Sequence, residues 1–347
     1  MFNLSRKNKT EAAKENGRSS FSFEALSAKG AFTDIKTLLQ LRFIAKDLKL
    51  APNKESRASL SGTARTRFRG RGMEFEEVRI YQAGDDIRTI DWRVTARTQT
   101  PHTKIFREEK ERPTFLAVDQ RSSLFFGSQR CFKSVLAAHV ASIIGWASLE
   151  NSDRVGGLIF GDSDHKDIRP RRSKHAVLEL IHHLNEYNHA LKNTINDKQQ
   201  GNTEQQNDKK VTTLTILEDV RRLAKPGSAV FIIGDFHDYT PECDEVLYLL
   251  SRHCDITLIQ IIDPLEQTLS ALNNANGLLD VTDGEQRLQI AAYDKALQQK
   301  YRQRFETRQQ SIIHQCQKLK INLFSFSTTD NEVDQMRKIF NPKSKHR

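Results

Sequence analysis

The chain has 347 residues and a formal net charge of +10, and 37% of its residues are hydrophobic. The longest apolar stretch, about Val135 to Leu149, is shorter than the roughly 20 residues that a membrane-spanning helix needs, and the basic N-terminus lacks the apolar segment of a secretory signal. We therefore expect a cytoplasmic protein without a membrane span, whose positive charge suits nucleic acid, an anionic surface or an acidic protein.

The first 112 residues predict a tail, one helix and a region of short strands. Residues 1–30 are rich in Lys, Ser, Asn and Glu, which predicts a disordered tail. A helix with a broad apolar stripe is expected from Thr33, its N-cap, to about Leu50. Residues 51–70 are polar and predict a linker. Short strand-like runs follow around Val78 and at Thr103–Phe106, so residues 31–112 form the N-terminal region.

Short apolar runs alternate with helical patterns from residue 113 to residue 335. The predicted strands are Thr114–Val118, Val155–Phe160, Ala229–Gly234, Ile256–Ile262 and Ile321–Phe326. The predicted helices cover residues 131–149, 174–191, 213–223, 242–252 and 293–319. Strands that are apolar throughout suit a sheet that is buried on both faces. Their alternation with helices predicts a doubly wound, mostly parallel α/β sheet.

Three polar segments interrupt or follow this alternation. Residues 192–211 predict a low-complexity loop, and residues 336–347 predict a basic tail. Residues 277–291 predict a hairpin insertion around Asp283-Gly284. The four cysteines are scattered and form no C-x-x-C pair, so we expect reduced thiols rather than disulfides or a zinc site.

No sequence motif points to a catalytic site. The chain has no G-x-x-x-x-G-K-[ST] phosphate loop, no G-x-S-x-G nucleophile and no H-E-x-x-H metal site. We therefore do not expect an enzyme. Asp119 and Asp235 follow two of the predicted strands at the carboxyl edge of the sheet, where α/β proteins bind ligands. A metal-dependent hydrolase at these aspartates is the least favoured alternative, because no general base or metal-ligating histidine accompanies them.

The most distinctive segment is residues 70–97, GRGMEFEEVRIYQAGDDIRTIDWRVTAR, which we call the signature block. It has two interpretations: a docking surface with aromatic and arginine contacts, or an internal clamp in which aspartates pair with arginines and hold the segment to the sheet. We favour the clamp, because alternating acids and bases can pair with one another. The residues that carry either role are Gly72, Glu74, Phe75, Arg79, Tyr81, Gly84, Asp85, Asp86, Arg88, Asp91, Trp92 and Arg97.

The signature block and the strand that leads into Asp119-Gln-Arg-Ser-Ser123 resemble the domain of unknown function 58 family. The resemblance covers about residues 35 to 330 and implies a von Willebrand factor type A fold for the larger part. That fold carries a metal-ion-dependent adhesion site with the motif D-x-S-x-S after its first strand. Asp119 and Ser123 match the first and last positions of the motif, whereas Arg121 replaces the middle serine.

This replacement changes what the site is expected to hold. A guanidinium cannot ligate a cation and would repel Mg²⁺, but it could pair with Asp119 or Asp235 and replace the metal with an internal ion pair. Alternatively, Arg121 turns to solvent, Ser122 or a backbone carbonyl completes a Mg²⁺ site, and Ser173 supplies the hydroxyl of the second loop. We favour the metal-free site and expect no cofactor, with Mg²⁺ as the open alternative.

The resemblance also implies a role and a partner. Family members resemble adaptors that work beside a MoxR-type AAA+ ATPase, so the expected function is a non-enzymatic adaptor or assembly factor for a protein client. The alternative is a basic module for nucleic acid or an anionic surface, because alternate residues from Arg65 to Arg71 would share one face of a strand. Three glutamates follow between residues 74 and 77, so nucleic acid is the less favoured partner.

Overall fold

Strands and helices alternate along most of the chain in the computed structural model, which describes residues 26–48, 50, 73–108, 113–199, 211–268, 278–282, 287–291 and 294–340. The elements, in chain order, are α1 (Ile35–Gln40), α2 (Arg42–Ala45), β1 (Met73–Ile80), α3 (Trp92–Thr98), β2 (His102–Glu108), β3 (Pro113–Asp119), α4 (Lys133–Glu150), β4 (Arg154–Phe160), β5 (His165–Arg171), α5 (Lys174–Gln199), α6 (Thr213–Leu223), β6 (Ala229–Gly234), α7 (Glu242–Ser251), β7 (Asp255–Ile262), α8 (Pro264–Gln267), β8 (Leu278–Thr282), β9 (Arg287–Ala291), α9 (Lys295–Leu319), β10 (Asn322–Ser327) and α10 (Glu332–Phe340).

The main sheet has six strands in the order β10-β7-β6-β3-β4-β5. β3 is parallel to both β4 and β6, and β7 is parallel to both β6 and β10, whereas the edge strand β5 is antiparallel to β4. The chain starts in the middle of the sheet, builds one half outwards and then returns to build the other half. The predicted doubly wound, mostly parallel α/β sheet is confirmed.

Helices cover both faces of this sheet because its strands are apolar on both sides. Side chains alternate along a strand, so in β3 Leu116 and Val118 pack with α1, α2, α4, α5 and α10, whereas Phe115 and Ala117 pack with α6, α7 and α9. α4 is buried on every side from residue 133 to residue 148. A helix that is surrounded in this way is apolar all round rather than along one stripe.

The N-terminal segment differs from the predicted tail. Leu26 and Ala28 are buried in the core, and Gly30 forms a β-bridge with Cys131 on the way into α4. The prediction of a disordered tail is therefore wrong for residues 26–30, because apolar side chains among the polar ones reach the core. Residues 1–25 lie outside the described ranges, as does the linker predicted at 51–70.

The predicted N-terminal helix is shorter and begins one residue later. Asp34, not Thr33, is the N-cap of α1, since its carboxylate accepts hydrogen bonds from the N–H groups of Lys36 and Thr37. Thr33 instead donates its backbone N–H to Asn188 of α5. Helical structure ends with α2 at residue 45 instead of near residue 50.

The later segments correct two predictions and confirm one. α5 continues to Gln199, so the loop predicted at 192–211 is helical in its first part, and residues 200–210 lie outside the described ranges. α10 continues to Phe340 and buries Met336, so the tail predicted at 336–347 is wrong for residues 336–340. The antiparallel pair of β8 and β9 confirms the predicted hairpin. No helix in the described ranges is long and apolar enough to cross a membrane.

The signature block contains the first strand of a second, two-stranded sheet and most of the connection to the other strand. β1 and β2 pair in antiparallel fashion, with a register shift between Phe75 and Glu77. A short 3-10 helix (Ile87–Thr89) and α3 connect the two strands. The short strands predicted for this region are therefore confirmed as one hairpin with a long helical connection.

Candidate functional site

The switch point of the main sheet lies between β3 and β6, where the strand order reverses. Asp119 is the last residue of β3, and Asp235 directly follows β6, so both carboxylates stand at this edge. They are 2% and 4% exposed. Gly234 leaves room for Asp119, because a Cβ on Gly234 would lie only 3.1 Å from the Asp119 Cβ. The two aspartates therefore share one buried edge, as their positions in the sequence predict.

Arg121 forms a bidentate ion pair with Asp119. Its Nη2 lies 2.8 Å from the Oδ2 of Asp119, and its Nε lies 3.1 Å from each carboxylate oxygen. The backbone N–H of Arg121 also donates to Oδ1, at 2.9 Å. Arg121 is 4% exposed, so the alternative in which it turns to solvent is wrong. The internal ion pair that the sequence predicts for Arg121 is present.

The other side of the same guanidinium binds two further segments. Nη1 donates to the Oδ2 of Asp238 at 2.9 Å and to the backbone carbonyl of Val211 at 3.0 Å. Asp238 in turn accepts the backbone N–H of Thr213, the first residue of α6. Arg121 therefore connects the loop after β3, the start of α6 and the loop after β6.

Asp235 has different cationic partners. Lys133, the first residue of α4, is 1% exposed, and its Nζ lies 2.9 Å from the Oδ2 of Asp235 and 2.5 Å from the Oε1 of Glu266. The Nδ1 of His237 lies 3.0 Å from the other oxygen of Asp235. We call Asp119, Arg121, Lys133, Asp235, His237 and Asp238 the ion-pair cluster.

The charges of the cluster shift the pKa values of its members. Burial opposes the charged forms of Arg121 and Lys133, but the neighbouring carboxylates outweigh burial and raise both pKa values. Burial likewise opposes ionisation of Asp235, yet Lys133 and His237 hold its pKa well below the usual range. Burial raises the pKa of Asp119, although Arg121 opposes that shift.

Two members at the edge of the cluster are less deeply buried. Burial works against ionised Asp238, but the hydrogen bond and charge of Arg121 lower its pKa to about 2. Burial works against protonated His237, but the hydrogen bond and charge of Asp235, joined by Asp238, raise its pKa above 6.5. Asp238 is thus held in its charged form, and His237 is shifted toward its charged form.

These residues do not fit a divalent cation. Magnesium requires oxygen ligands with free lone pairs, whereas both oxygens of Asp119 accept hydrogen bonds from Arg121, and those of Asp235 from Lys133 and His237. Within the described ranges, no group of three or more His, Cys, Asp or Glu side chains could hold a metal ion. Arg121 and Lys133 supply the positive charges that neutralise the two aspartates.

The predicted hydroxyl ligands do not join this cluster. Ser122 donates its N–H and Oγ to Asp162, and the Oγ of Ser123 is buried without a hydrogen-bond partner in the described part of the chain. Ser173 stands at the start of α5 and accepts from a backbone N–H there. The hydroxyl that reaches Arg121 and Asp238 is that of Thr213. The sequence interpretation missed Thr213, because it lies 92 residues from Arg121 in the chain and only the tertiary fold brings the two together.

The signature block is more exposed than the clamp interpretation requires. Arg79 pairs with Asp85 at 2.8 Å, as that interpretation predicts. Asp91, however, caps α3 through the N–H groups of residues 93 and 94 and pairs with Lys104 rather than with an arginine. Trp92 is 68% exposed, so it is not held against the sheet as the clamp interpretation requires. The ion pairs hold the hairpin together locally.

Other predicted residues of the block shape its turns. Asp86 accepts the N–H of Arg88 and caps the 3-10 helix, and the hydroxyl of Tyr81 donates to the carbonyl of Asp85. Gly84 has a φ of 104°, which an L side chain rarely adopts. Arg88 and Arg97 are exposed.

Several predicted residues lie wholly or partly outside the described part of the chain. Gly72 and the arginines from Arg65 to Arg71 lie outside the described residues, so nucleic-acid binding through them stays a prediction. Glu74 and Phe75 belong to β1, but their side chains lie outside what the structure describes. The four cysteines are buried, and none of them is in a disulfide.

Comparison with known proteins gives a consistent result. The chain is 29% identical over 200 residues to uncharacterized protein Rv1480 of Mycobacterium tuberculosis and to uncharacterized protein Mb1516 of Mycobacterium bovis. The matched segment covers 58% of this chain and 58% of each relative, so the chain spans less than two thirds of their length. The model of one family matches residues 77–312, which is more than half of the chain. The chain therefore belongs to the family described as protein of unknown function DUF58.

Proposed function

We propose that this chain is a non-enzymatic adaptor of the cytoplasm that docks a protein client through the signature block and works beside a MoxR-type AAA+ ATPase. The observation that carries the proposal is the exposure of Trp92, 68% of whose surface is accessible at the start of α3. A tryptophan in water forgoes the burial that makes aromatic side chains favourable. Tryptophan is also among the residues that contribute most to protein interfaces.

Other exposed residues of the signature block have the composition of a docking surface. Ile80 and Ile87 are 63% and 65% exposed, and the exposed Arg88 and Arg93 directly follow Ile87 and Trp92 in the sequence. Apolar side chains with arginines among them are typical of interface centres, because arginine adds directed hydrogen bonds to apolar contact. The local pair of Arg79 with Asp85 holds this surface in shape without covering it.

The ion-pair cluster supports the non-enzymatic part of the proposal, because its charged groups are paired with one another. A buried ion pair adds little net stability, but it fixes the geometry of the segments that it joins. The strand order and the position of Asp119 support a von Willebrand factor type A relationship for the sheet. The sequence has no phosphate-binding loop, so energy from ATP would have to come from the partner ATPase.

The test is affinity capture with the full chain as bait. We expect the wild-type protein to retain a client and an AAA+ ATPase from a lysate of its own cells. The Trp92→Ala variant should capture at least roughly tenfold less client, because truncation of an interface hot spot weakens binding by that much. Trp92→Ala should melt within a few degrees of wild type, because an exposed residue changes stability by about 0.5 kcal/mol or less.

The matched control is Tyr248→Ala, which removes another exposed aromatic side chain from α7 of the main domain. It should capture as much client as wild type. Equal capture by Trp92→Ala and wild type would place the docking surface elsewhere, and a large loss of thermal stability in Trp92→Ala would restore the clamp interpretation. Capture of a client without any ATPase would remove the ATPase from the proposal.

A further inference from the structure

A cleft of about 660 Å³ opens between the loop after β6 and one face of α9. Its volume falls within the range of about 300–1,000 Å³ that is usual for ligand pockets. It adjoins the ion-pair cluster through His237 but is a separate, open space. The residues that line it are His237, Tyr239, Thr240, Pro241, Lys300, Gln303, Arg304, Thr307, Arg308 and Ser311.

One wall of the cleft is positively charged. Lys300, Arg304 and Arg308 are four residues apart along α9, which places them on the same face of the helix. Arg308 donates from Nη1 to the backbone carbonyl of His237 at 3.0 Å and so connects the two walls. Lys300 and Arg304 are exposed, and neither forms a salt bridge with another described residue.

The opposite wall and its border have different chemistry. Tyr239, Thr240 and Pro241 offer apolar surface and a hydroxyl, and the hydroxyl of Tyr239 already donates to Asp244. The first turn of α7 follows directly and is acidic, with Glu242, Asp244 and Glu245. The cleft therefore combines a row of cations on one side with carboxylates just beyond the other side.

We propose that this cleft binds a short acidic segment of a partner protein, whose carboxylates pair with Lys300 and Arg304. Such a segment can place its acidic side chains only where the cations of α9 are. A nucleic-acid backbone carries a phosphate at every nucleotide and would be repelled by the acidic first turn of α7. This proposal rests on the proposed function in one respect only, namely that the binding partner is a protein. The cleft itself is a different surface from the signature block.

The test measures binding of a fluorescently labelled serine-glycine peptide, which carries two glutamates near one end only, to the full chain by anisotropy at physiological salt. We expect saturable binding by wild type, no binding of the same peptide with both glutamates replaced by glutamine, and a loss of roughly tenfold or more in affinity for Arg304→Glu. The matched control is Arg302→Glu, which makes the same charge change on α9. Arg302 does not line the cleft, pairs with Glu306, and lies about 200° around the helix from Arg304.

Each outcome decides the proposal. Equal weakening by Arg302→Glu and Arg304→Glu would mean a response to net charge alone, and absence of peptide binding would likewise overturn the proposal. If a single-stranded oligonucleotide binds more tightly than the peptide, and Arg304→Glu weakens its binding to the same extent, the cleft would be assigned to nucleic acid. Trp92→Ala should bind the peptide like wild type. Intact peptide binding together with unchanged client capture by Trp92→Ala would therefore defeat the docking surface and leave the cleft standing.

Discussion

Arg121 is the residue on which the architecture of the sheet edge depends most directly. Its planar guanidinium offers N–H donors in a fixed fork, and these donors are shared between Asp119, Asp238 and the carbonyl of Val211. A lysine could not make this set of contacts, because its charge sits on one atom. Loss of the guanidinium would leave the carboxylates of Asp119 and Asp238 without the cation that they share.

Arg121→Ser is therefore expected to destabilise the protein by about 3–5 kcal/mol, as removal of one partner from a buried ion pair does. The same change restores the serine of the D-x-S-x-S motif, so Mg²⁺ should stabilise the variant, by about 2.7 kcal/mol at one hundred times the dissociation constant. The free energy of unfolding of wild type should not respond to Mg²⁺. Urea denaturation with and without the ion measures both effects.

A surface arginine provides the comparison. Arg222 pairs with Asp219 on α6, and its side chain is 69% exposed, so Arg222→Ser should cost at most about 1 kcal/mol. Stabilisation of wild type by Mg²⁺ would show that Arg121 does not exclude the metal. Absence of any Mg²⁺ effect on Arg121→Ser would show that the carboxylates cannot converge on a cation.

The sequence could predict only part of this site. Asp119 and Asp235 are recognisable because each follows an apolar strand, and Arg121 because it interrupts a known motif. Lys133 gives no such signal, since it precedes the apolar run of α4 and reads as an ordinary helix-terminal lysine. Asp238 is hidden for a similar reason, because its role depends on where the loop after β6 places it relative to Arg121. Contacts between distant loops are set by packing, which local patterns do not encode.

At the scale of elements, burial decides which segments the sequence predicts well. The limits of β6 agree with the apolar run at Ala229–Gly234, because every residue of that strand is buried. β5 gives no apolar run, since Ile168 alone among its residues is buried, and an exposed edge strand is built of polar residues. The signature block gives the opposite error. Trp92 belongs to a residue type that is usually well buried, yet it is exposed to solvent.

α4 is the element whose packing is most constrained. A Cβ on Gly145 would lie 3.3 Å from the Cδ2 of Leu180 on α5 and 3.7 Å from side-chain carbons of Leu116 and Val177. Glycine costs about 1 kcal/mol of helix propensity relative to alanine, so its presence here reflects the close approach of α4 to α5 and to the sheet.

Gly145→Leu is accordingly expected to destabilise the protein by about 1–3 kcal/mol, because the added side chain overpacks a filled interface. Leu178→Ala is the comparison on the neighbouring helix. Because Leu178 is 41% exposed, its truncation should destabilise the protein much less than truncation of a buried leucine, which costs about 2–5 kcal/mol. Thermal and urea unfolding of both variants measures the difference. Equal stability of Gly145→Leu and wild type would mean that α4 and α5 can move apart.

At the scale of the whole molecule, the ion-pair cluster couples the stability of the fold to pH. Asp238 has a folded pKa of about 2 against an ordinary value of 3.8. Its contribution to the free energy of unfolding is therefore present above about pH 3.8 and is lost as the pH falls toward 2. His237 has a folded pKa above its ordinary value of 6.5. Its contribution is present below about pH 6.5 and is lost as the pH rises through the folded pKa. Both contributions are therefore present together between about pH 4 and pH 6.5.

Urea unfolding of wild type, Asp238→Asn and His237→Gln across this pH range separates the two contributions. The advantage of wild type over Asp238→Asn should shrink by roughly 2 kcal/mol between pH 5 and pH 2, which corresponds to the shift in the pKa of Asp238. The advantage of wild type over His237→Gln should instead be constant below pH 6 and shrink above it. Carboxylates outside the ion-pair cluster titrate alike in all three proteins, so they cancel in these differences, and the comparison with His237→Gln is made above about pH 4, where Asp235 stays ionised. A difference from His237→Gln that grows with rising pH would show that His237 is neutral in the folded protein and that Asp235 relies on Lys133 alone.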